Sequence, residues 1–278
     1  MDKIKWAVEI FEKYDIKTFV DNNNMITISH YNQPKGTTFS ELGINEDELI
    51  ENVIACDGTF DTRKSQLTTF PLIASREIRL YKDTKITQMP NLKAVGILVG
   101  NEVLKKLPKL KVAASISLEN SPVKSLPKLK EVGILIAQSS SLADLPALET
   151  AKKLCIIDCE IEDLKNLENA GDVFICSSDE NKKTKLSILN SLEKVEKLFV
   201  ANSNLKSLPK LKKASKIALY NTQIKSVKSS IGAEVEIETK INDEQLSEKF
   251  DTFTDWYNSD VLNKSMDLLG NLVNRIRG

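Results

Sequence analysis

One four-residue phrase returns along this chain at a nearly fixed interval, and that recurrence constrains the fold more than any other feature. Leu107-Pro108-Lys109-Leu110 reappears as Leu126-Pro127-Lys128-Leu129 and as Leu145-Pro146-Ala147-Leu148. It returns again as Leu164-Lys165-Asn166-Leu167, Leu189-Asn190-Ser191-Leu192 and Leu208-Pro209-Lys210-Leu211. The steps are 19, 19, 19, 25 and 19 residues. Upstream, Met89-Pro90-Asn91-Leu92 lies 18 residues before the first copy and Phe70-Pro71 another 19 before that; downstream, Val227 marks one more step of 19. Self-similarity at this period means stacked units, each unable to bury its apolar face without its neighbours.

Within a unit the apolar residues hold fixed offsets. One copy reads Ala113, Ile116, Leu118, Val123, Leu126, and others read Ala151, Leu154, Ile156, Ile161, Leu164 and Val195, Leu198, Val200, Leu205, Leu208. An apolar pair two residues apart is the signature of a strand with one face buried. Turn formers follow it, as in Glu119-Asn120-Ser121-Pro122 and Tyr220-Asn221-Thr222-Gln223. The proline of the phrase then forbids a helix and favours an extended return.

This pattern resembles the leucine-rich repeat, L-x-x-L-x-L-x-x-N-x-L, in a short bacterial or phage-type form with Leu-Pro on the return side. The resemblance spans roughly residues 70–240. The family's turn asparagine is replaced by Ser121, Ser140, Cys159, Ser178, Ser203 and Thr222, small side chains able to satisfy backbone groups in a buried turn. Asparagine stands one position earlier, as Asn120, Asn202 and Asn221. The resemblance implies a β-rich solenoid with a parallel sheet on its concave face. Nineteen residues leave no room for a full return helix, so extended or 3₁₀ segments are expected opposite the sheet. Nine or so coils at about 4.8 Å spacing would make a stack roughly 40 Å long.

A stacked array needs ends that hide its terminal apolar faces. Residues 1–60 read as an α/β capping region, 61–240 as the solenoid and 241–278 as a two-helix cap. Ile4, Ala7, Val8, Phe11 and Tyr14 share one helical face. A strand at 25–29, a short helix near 46–53 and an irregular first strand at 53–60 should follow. At the far end, Asn242 opens a helix with Asp243 and Glu244 in its first turn. A second helix, from Ser259-Asp260 to Arg277, carries Leu262, Met266, Leu269, Val273 and Ile276, widened by Val261, Leu268 and Leu272. A stripe that wide suits a cap first and a homodimer contact second.

Composition narrows the function classes. Apolar residues make up 41% and charged residues 28%, with zero net charge, which is ordinary for a soluble globular protein. No apolar run is long enough to span a bilayer, and charges interrupt the N-terminal segment where a leader would need an apolar stretch. Four cysteines placed as small buried hydrophobes point to a reducing cytoplasm. The single histidine, His30, sits in a polar segment, which leaves serine or cysteine nucleophiles without an evident base. Cys155 and Cys159 lack zinc-site spacing, and the ten glycines form no phosphate loop. The expectation is a protein that is not an enzyme and takes no cofactor and no metal.

Two features bear on partners. Lysines line the return side at Lys106, Lys109, Lys111, Lys124, Lys128 and Lys130 and again at Lys206, Lys210, Lys212 and Lys213. The sign inverts between them, at Asp144, Glu149, Glu162, Asp163 and Glu168, so nucleic acid is the less favoured partner. The outward strand positions hold Ile97, Val99, Ile134, Ile136, Ile157, Phe174, Phe199 and Tyr220, with Cys155, Cys176 and Ala218 among them. An open face this apolar marks a binding surface or one covered by the chain's own ends. The favoured reading is a cytoplasmic protein-binding scaffold using that face. A phage or mobile-element inhibitor that occludes a host defence protein, and a nucleic-acid-associated protein using the lysine flank, are the alternatives. On the favoured reading, Phe174→Asp and Phe199→Asp should leave the fold intact and abolish partner capture.

Overall fold

In a computed structural model of the chain, the described residues are 68–69, 72–179, 181–228 and 231–238, the strands at 18–20, 26–28 and 53–61, and Lys5, Val8, Glu9 and Glu12. Twelve strands form one sheet in strict chain order: β1 (Thr18–Val20), β2 (Ile26–Ile28), β3 (Val53–Asp61), β4 (Ala74–Arg79), β5 (Ala94–Val99), β6 (Val112–Ser117), β7 (Glu131–Gln138), β8 (Thr150–Ile157), β9 (Asn169–Cys176), β10 (Lys197–Ala201), β11 (Lys216–Tyr220) and β12 (Glu234–Glu238). Among the described residues, only β1 and β2 pair antiparallel, and from β2 onward every neighbour is parallel. The result is a parallel-strand solenoid of about 9 turns spaced at ~19 residues. The irregular strand expected at 53–60 is β3, whose register shifts against both neighbours.

Each coil sends the same positions inward. In the β8 coil these are Ala151, Leu154, Ile156, Cys159, Ile161, Leu164 and Leu167, all buried in one continuous core that runs through the stack. The first two are three residues apart, so Lys152 and Lys153 both turn away from the core. At the matching position in the flanking strands stand Gly133 and Gly171. A Cβ there would meet the carbonyl oxygens of Ala114 and Lys152 at 2.3 Å, so only glycine admits this close approach.

The Leu-Pro phrase closes a turn, not the extended return its proline suggested. Leu126 C=O accepts from Leu129 N–H at 3.2 Å, and Leu145/Leu148, Leu164/Leu167 and Leu208/Leu211 repeat this at 3.2, 3.1 and 3.4 Å. Proline at the second position of such a turn has its φ already set. Extended pairing around the phrase is limited to isolated bridges, before it at Ser125↔Asp144 and Asp163↔Ile188 and after it at Asn169↔Lys194 and Lys194↔Lys213.

The polar turn after each strand has two parts. First comes a left-handed residue: Asn120, Ser139, Asp158, Asn202 or Asn221, with φ between 47 and 51°. Asparagine and aspartate tolerate this conformation best, which accounts for asparagine one position ahead of the family's. Next comes the small side chain, whose oxygen accepts from the N–H two residues on: Val123 to Ser121, Leu142 to Ser140, Leu205 to Ser203, Ile224 to Thr222. One assignment changes. In the lengthened coil Thr184, not Ser178, pairs with Ser203 and fills this position. Its hydroxyl is buried without a hydrogen-bond partner, so the ladder breaks where the insertion enters.

Among the described residues no helix forms an element; α-helical backbone is found at Lys5, Val8, Glu9 and Glu12, a 3₁₀ residue at Ile231, and Val8 packs against the core. The expected short helix near 46–53 and the two-helix cap at 241–278 lie outside the described residues. Also among the described residues, no helix is long and apolar enough to cross a membrane.

Candidate interaction face

Side chains that alternate away from the core stand in rows across the sheet, because parallel pairing in constant register brings equivalent positions side by side. One row runs Arg79, Val99, Ser117, Ile136, Cys155, Phe174, Phe199, Ala218, Glu236. A second, two residues earlier, runs Glu77, Ile97, Ser115, Ile134, Lys153, Asp172, Lys197, Lys216, Glu234. A third includes Gln138, Ile157, Cys176, Ala201, Tyr220 and Glu238. All eight residues expected to face outward therefore do share this face.

Their exposure divides them. Ile97, Val99, Ile134 and Ile136, on β5 and β7, are partly exposed. Ile157, Phe174, Phe199 and Tyr220, on β8 to β11, are buried at 6, 1, 8 and 1% exposure, contrary to the open face expected for them. With Cys155, Cys176, Ala201 and Ala218 they form a second apolar cluster, separate from the core, against which Ile136 packs. Phe174 stacks on Phe199, and Phe199 meets Tyr220 at 5.4 Å between ring centroids. The Tyr220 hydroxyl donates to the Glu236 carboxylate at the cluster's edge. Burial, with that carboxylate beside it, pushes the phenol up from its ordinary value.

The half-exposed end has a distinct shape. Ser115 and Ser117 of β6 lie between Ile97 and Val99 on one side and Ile134 and Ile136 on the other. Small hydroxyls between taller aliphatic side chains make a trough one strand wide. Charges adjoin it in opposite-sign pairs: Arg79 bonds Glu77 on β4. On the other side Lys153 meets Asp172 at 3.4 Å, with side-chain exposures of 11 and 15%. The second oxygen of Asp172 is buried and has no hydrogen-bond partner. The sequence reading missed this ion pair; its signal was opposite charges 19 residues apart, each two before a cluster residue.

Burial pushes the Cys155 thiol from its ordinary 9.0 up to about 12, and raises Cys159 and Cys176 likewise, so all three are held as neutral thiols. Among the described residues no group of three or more His, Cys, Asp and Glu side chains could hold a metal ion. His30 lies outside them.

On the return side the backbone stacks Lys111, Lys130, Glu149, Glu168, Glu193 and Lys212 in one column. Lys130 pairs with Glu149 at 3.0 Å and Lys212 with Glu193 at 2.9 Å, so the lysine flank is partly neutralised by its own neighbours. Compared with models of protein families and with curated proteins, the chain matches none.

Proposed function

We propose that this chain is a leucine-rich-repeat protein that binds another protein through the outer face of its sheet and catalyses no reaction. The family assignment rests on the core positions: Ala151, Leu154, Ile156, Cys159 and Ile161 fall on the family's pattern in order, and all five are buried together.

The binding assignment rests on one observation, the aliphatic trough of Ile97, Val99, Ile134 and Ile136 around Ser115 and Ser117. Its aliphatic walls suit a ridge of apolar side chains on the partner; Ser115 is buried at 3% exposure, so Ser117, partly exposed, is the hydroxyl open to that partner's polar groups. The paired charges at both sides favour a neutral, apolar contact. Nucleic acid would call for unpaired cations with aromatic side chains between them.

The test uses the full chain as bait in an extract of its native host, beside Ile97→Asp and Ile136→Asp. A protein that binds wild type and is lost by both variants, at unchanged melting temperature, supports the reading. Its binding should change little between low and moderate salt. A steep salt dependence, or equal capture by all three baits, would overturn it.

A further inference from the structure

We propose that the return side of this chain docks on the return side of a second copy, about a two-fold axis that crosses the stack between Lys130 and Glu149. The observation behind it is a column linked by backbone hydrogen bonds from coil to coil: Lys93, Lys111, Lys130, Glu149, Glu168, Glu193. Three cations are followed by three carboxylates at one position of successive coils. Alternating signs would let every charge pair within the chain. Instead, ion pairs in this column form where the sign changes, at Lys130–Glu149 and at Glu193–Lys212. Among the described residues Lys93, Lys111 and Glu168 make no ion pair, and Lys111 stands one coil from a like charge on either side.

A two-fold axis in the contact plane reverses the order of the coils and returns each column to itself. Lys130 then meets Glu149 of the second copy, Lys111 meets Glu168 and Lys93 meets Glu193. Two neighbouring columns obey the same axis. Lys105 meets Glu162 and Lys106 meets Asp163, because both members of each pair lie equally far from it. Across the five columns that start at Thr87, Gln88, Pro90, Asn91 and Lys93, no like charges are opposed over these six coils. Beside the axis Pro127 meets Pro146, and the stems of Lys124 and Lys128 lie on Ala143 and Ala147. Moving the axis by one coil would oppose Lys111 to Lys130, or Glu149 to Glu168. The charges therefore select one register as well as one orientation.

The contact leaves the outer face of the sheet free, so it stands apart from the binding proposal. Six coils at about 4.8 Å make a strip roughly 29 Å long. Exposed ion pairs are individually weak, so the dimer should come apart on dilution and in salt.

Sedimentation of the full chain over a range of concentrations at low salt tests this. Wild type should pass from monomer to dimer as concentration rises, and return to monomer in about 1 M salt. Lys106→Glu with Lys111→Glu, and separately Asp163→Lys with Glu168→Lys, should each weaken dimerisation about tenfold or more, because like charges then meet on both sides of the axis. Mixed in equal amounts, the two variants should dimerise about as tightly as wild type, since opposite charges face each other again. A wild type that stays monomeric would overturn the proposal, as would variants that dimerise unchanged or a mixture that stays monomeric. Loss of the dimer in Ile136→Asp would overturn it too, by placing the contact on the sheet.

If a charge variant loses the wild-type melting transition, the wild-type chain decides. Carbodiimide on mixed isotopically light and heavy chains should link Lys111 to Glu168 between chains. Within one chain these residues are three coils apart, about 14 Å, too far for a direct amide link. Finding no link between chains would overturn the proposal.

Discussion

The rings of Phe174 and Phe199 lie face to face across neighbouring strands, with centroids 4.3 Å apart and planes 5° from parallel. Constant parallel register puts them there, since their backbones pair directly. Their burial reverses what the sequence led one to expect of a charge at either position. Phe174→Asp should lower the unfolding midpoint sharply, because a carboxylate would be left in an apolar layer. Phe174→Ala should cost about 3–5 kcal/mol. A double-mutant cycle with Phe199→Ala, read by denaturant titration, should return a coupling of about 0.5–1.5 kcal/mol for the pair. Additive losses would mean the rings contribute only area.

Asn202 combines two demands that no other residue type meets together. Its φ is 48°, it is 1% exposed, and its amide donates to Ser177 C=O at 3.0 Å while its oxygen accepts from Asn221 at 3.0 Å. Asn202→Ala loses both the tolerated left-handed backbone and the bonds, for a cost of about 2–4 kcal/mol. Asn202→Gly restores the backbone alone and should recover about 1 kcal/mol of that loss. Equal melting temperatures for the two variants would show that backbone strain contributes nothing here.

The long step between copies is an insertion, and the structure places it at 178–183 by pairing Thr184 with Ser203. Removing those six residues restores the 19-residue interval. The deletion takes away two hydrogen bonds from Ser178, itself exposed, to the Asp158 carboxylate, at 2.8 and 2.6 Å. The shortened chain should unfold within about 1 kcal/mol of wild type. A larger loss in a chemical denaturation curve would mean that the segment packs on something beyond its own turn.

Alkaline stability should report the buried thiols. Cys155 has an ordinary value of 9.0 and is raised to about 12 in the fold, first by burial and then by Cys159 and Glu119. Below pH 9 both folded and unfolded states keep the proton, and the full contribution is present. Between pH 9 and about 12 only the unfolded state releases it, so stability falls as pH rises through that window. Cys176 and Tyr220 shift in the same direction. The midpoint of denaturation should be flat from pH 7 to 8 and decline above 9, with a shallower slope in Cys155→Val. An identical slope in that variant would assign the decline to other groups.

The repeat, the inward positions and the register were legible because the period is carried by large aliphatic residues whose burial is obligatory. Leu154, Ile156 and Leu164 are buried as their spacing requires. The turn ladder was legible except at the insertion. Counting from Cys159 reaches Ser178 and counting back from Ser203 reaches Thr184, and the chain follows the second count. The asparagines at 120, 202 and 221 were visible, but their reason is a backbone angle that no spacing reports. Exposure of the outer face was not legible. Alternation shows which side of a sheet a residue occupies, and Ile97 and Phe174 follow the same alternation with opposite outcomes.

Strict chain order across all twelve strands has a kinetic consequence. Parallel sheets usually fold slowly, since distant segments must meet before pairing returns any free energy. Here each strand of the repeat region pairs only with strands roughly one coil away, about 19 positions along a chain of 278. The mean separation of contacts divided by length is then near ~0.07, a value typical of small helical bundles. A β-protein wound this way can start from any adjacent pair of coils and grow in both directions, one closure of about 19 residues at a time.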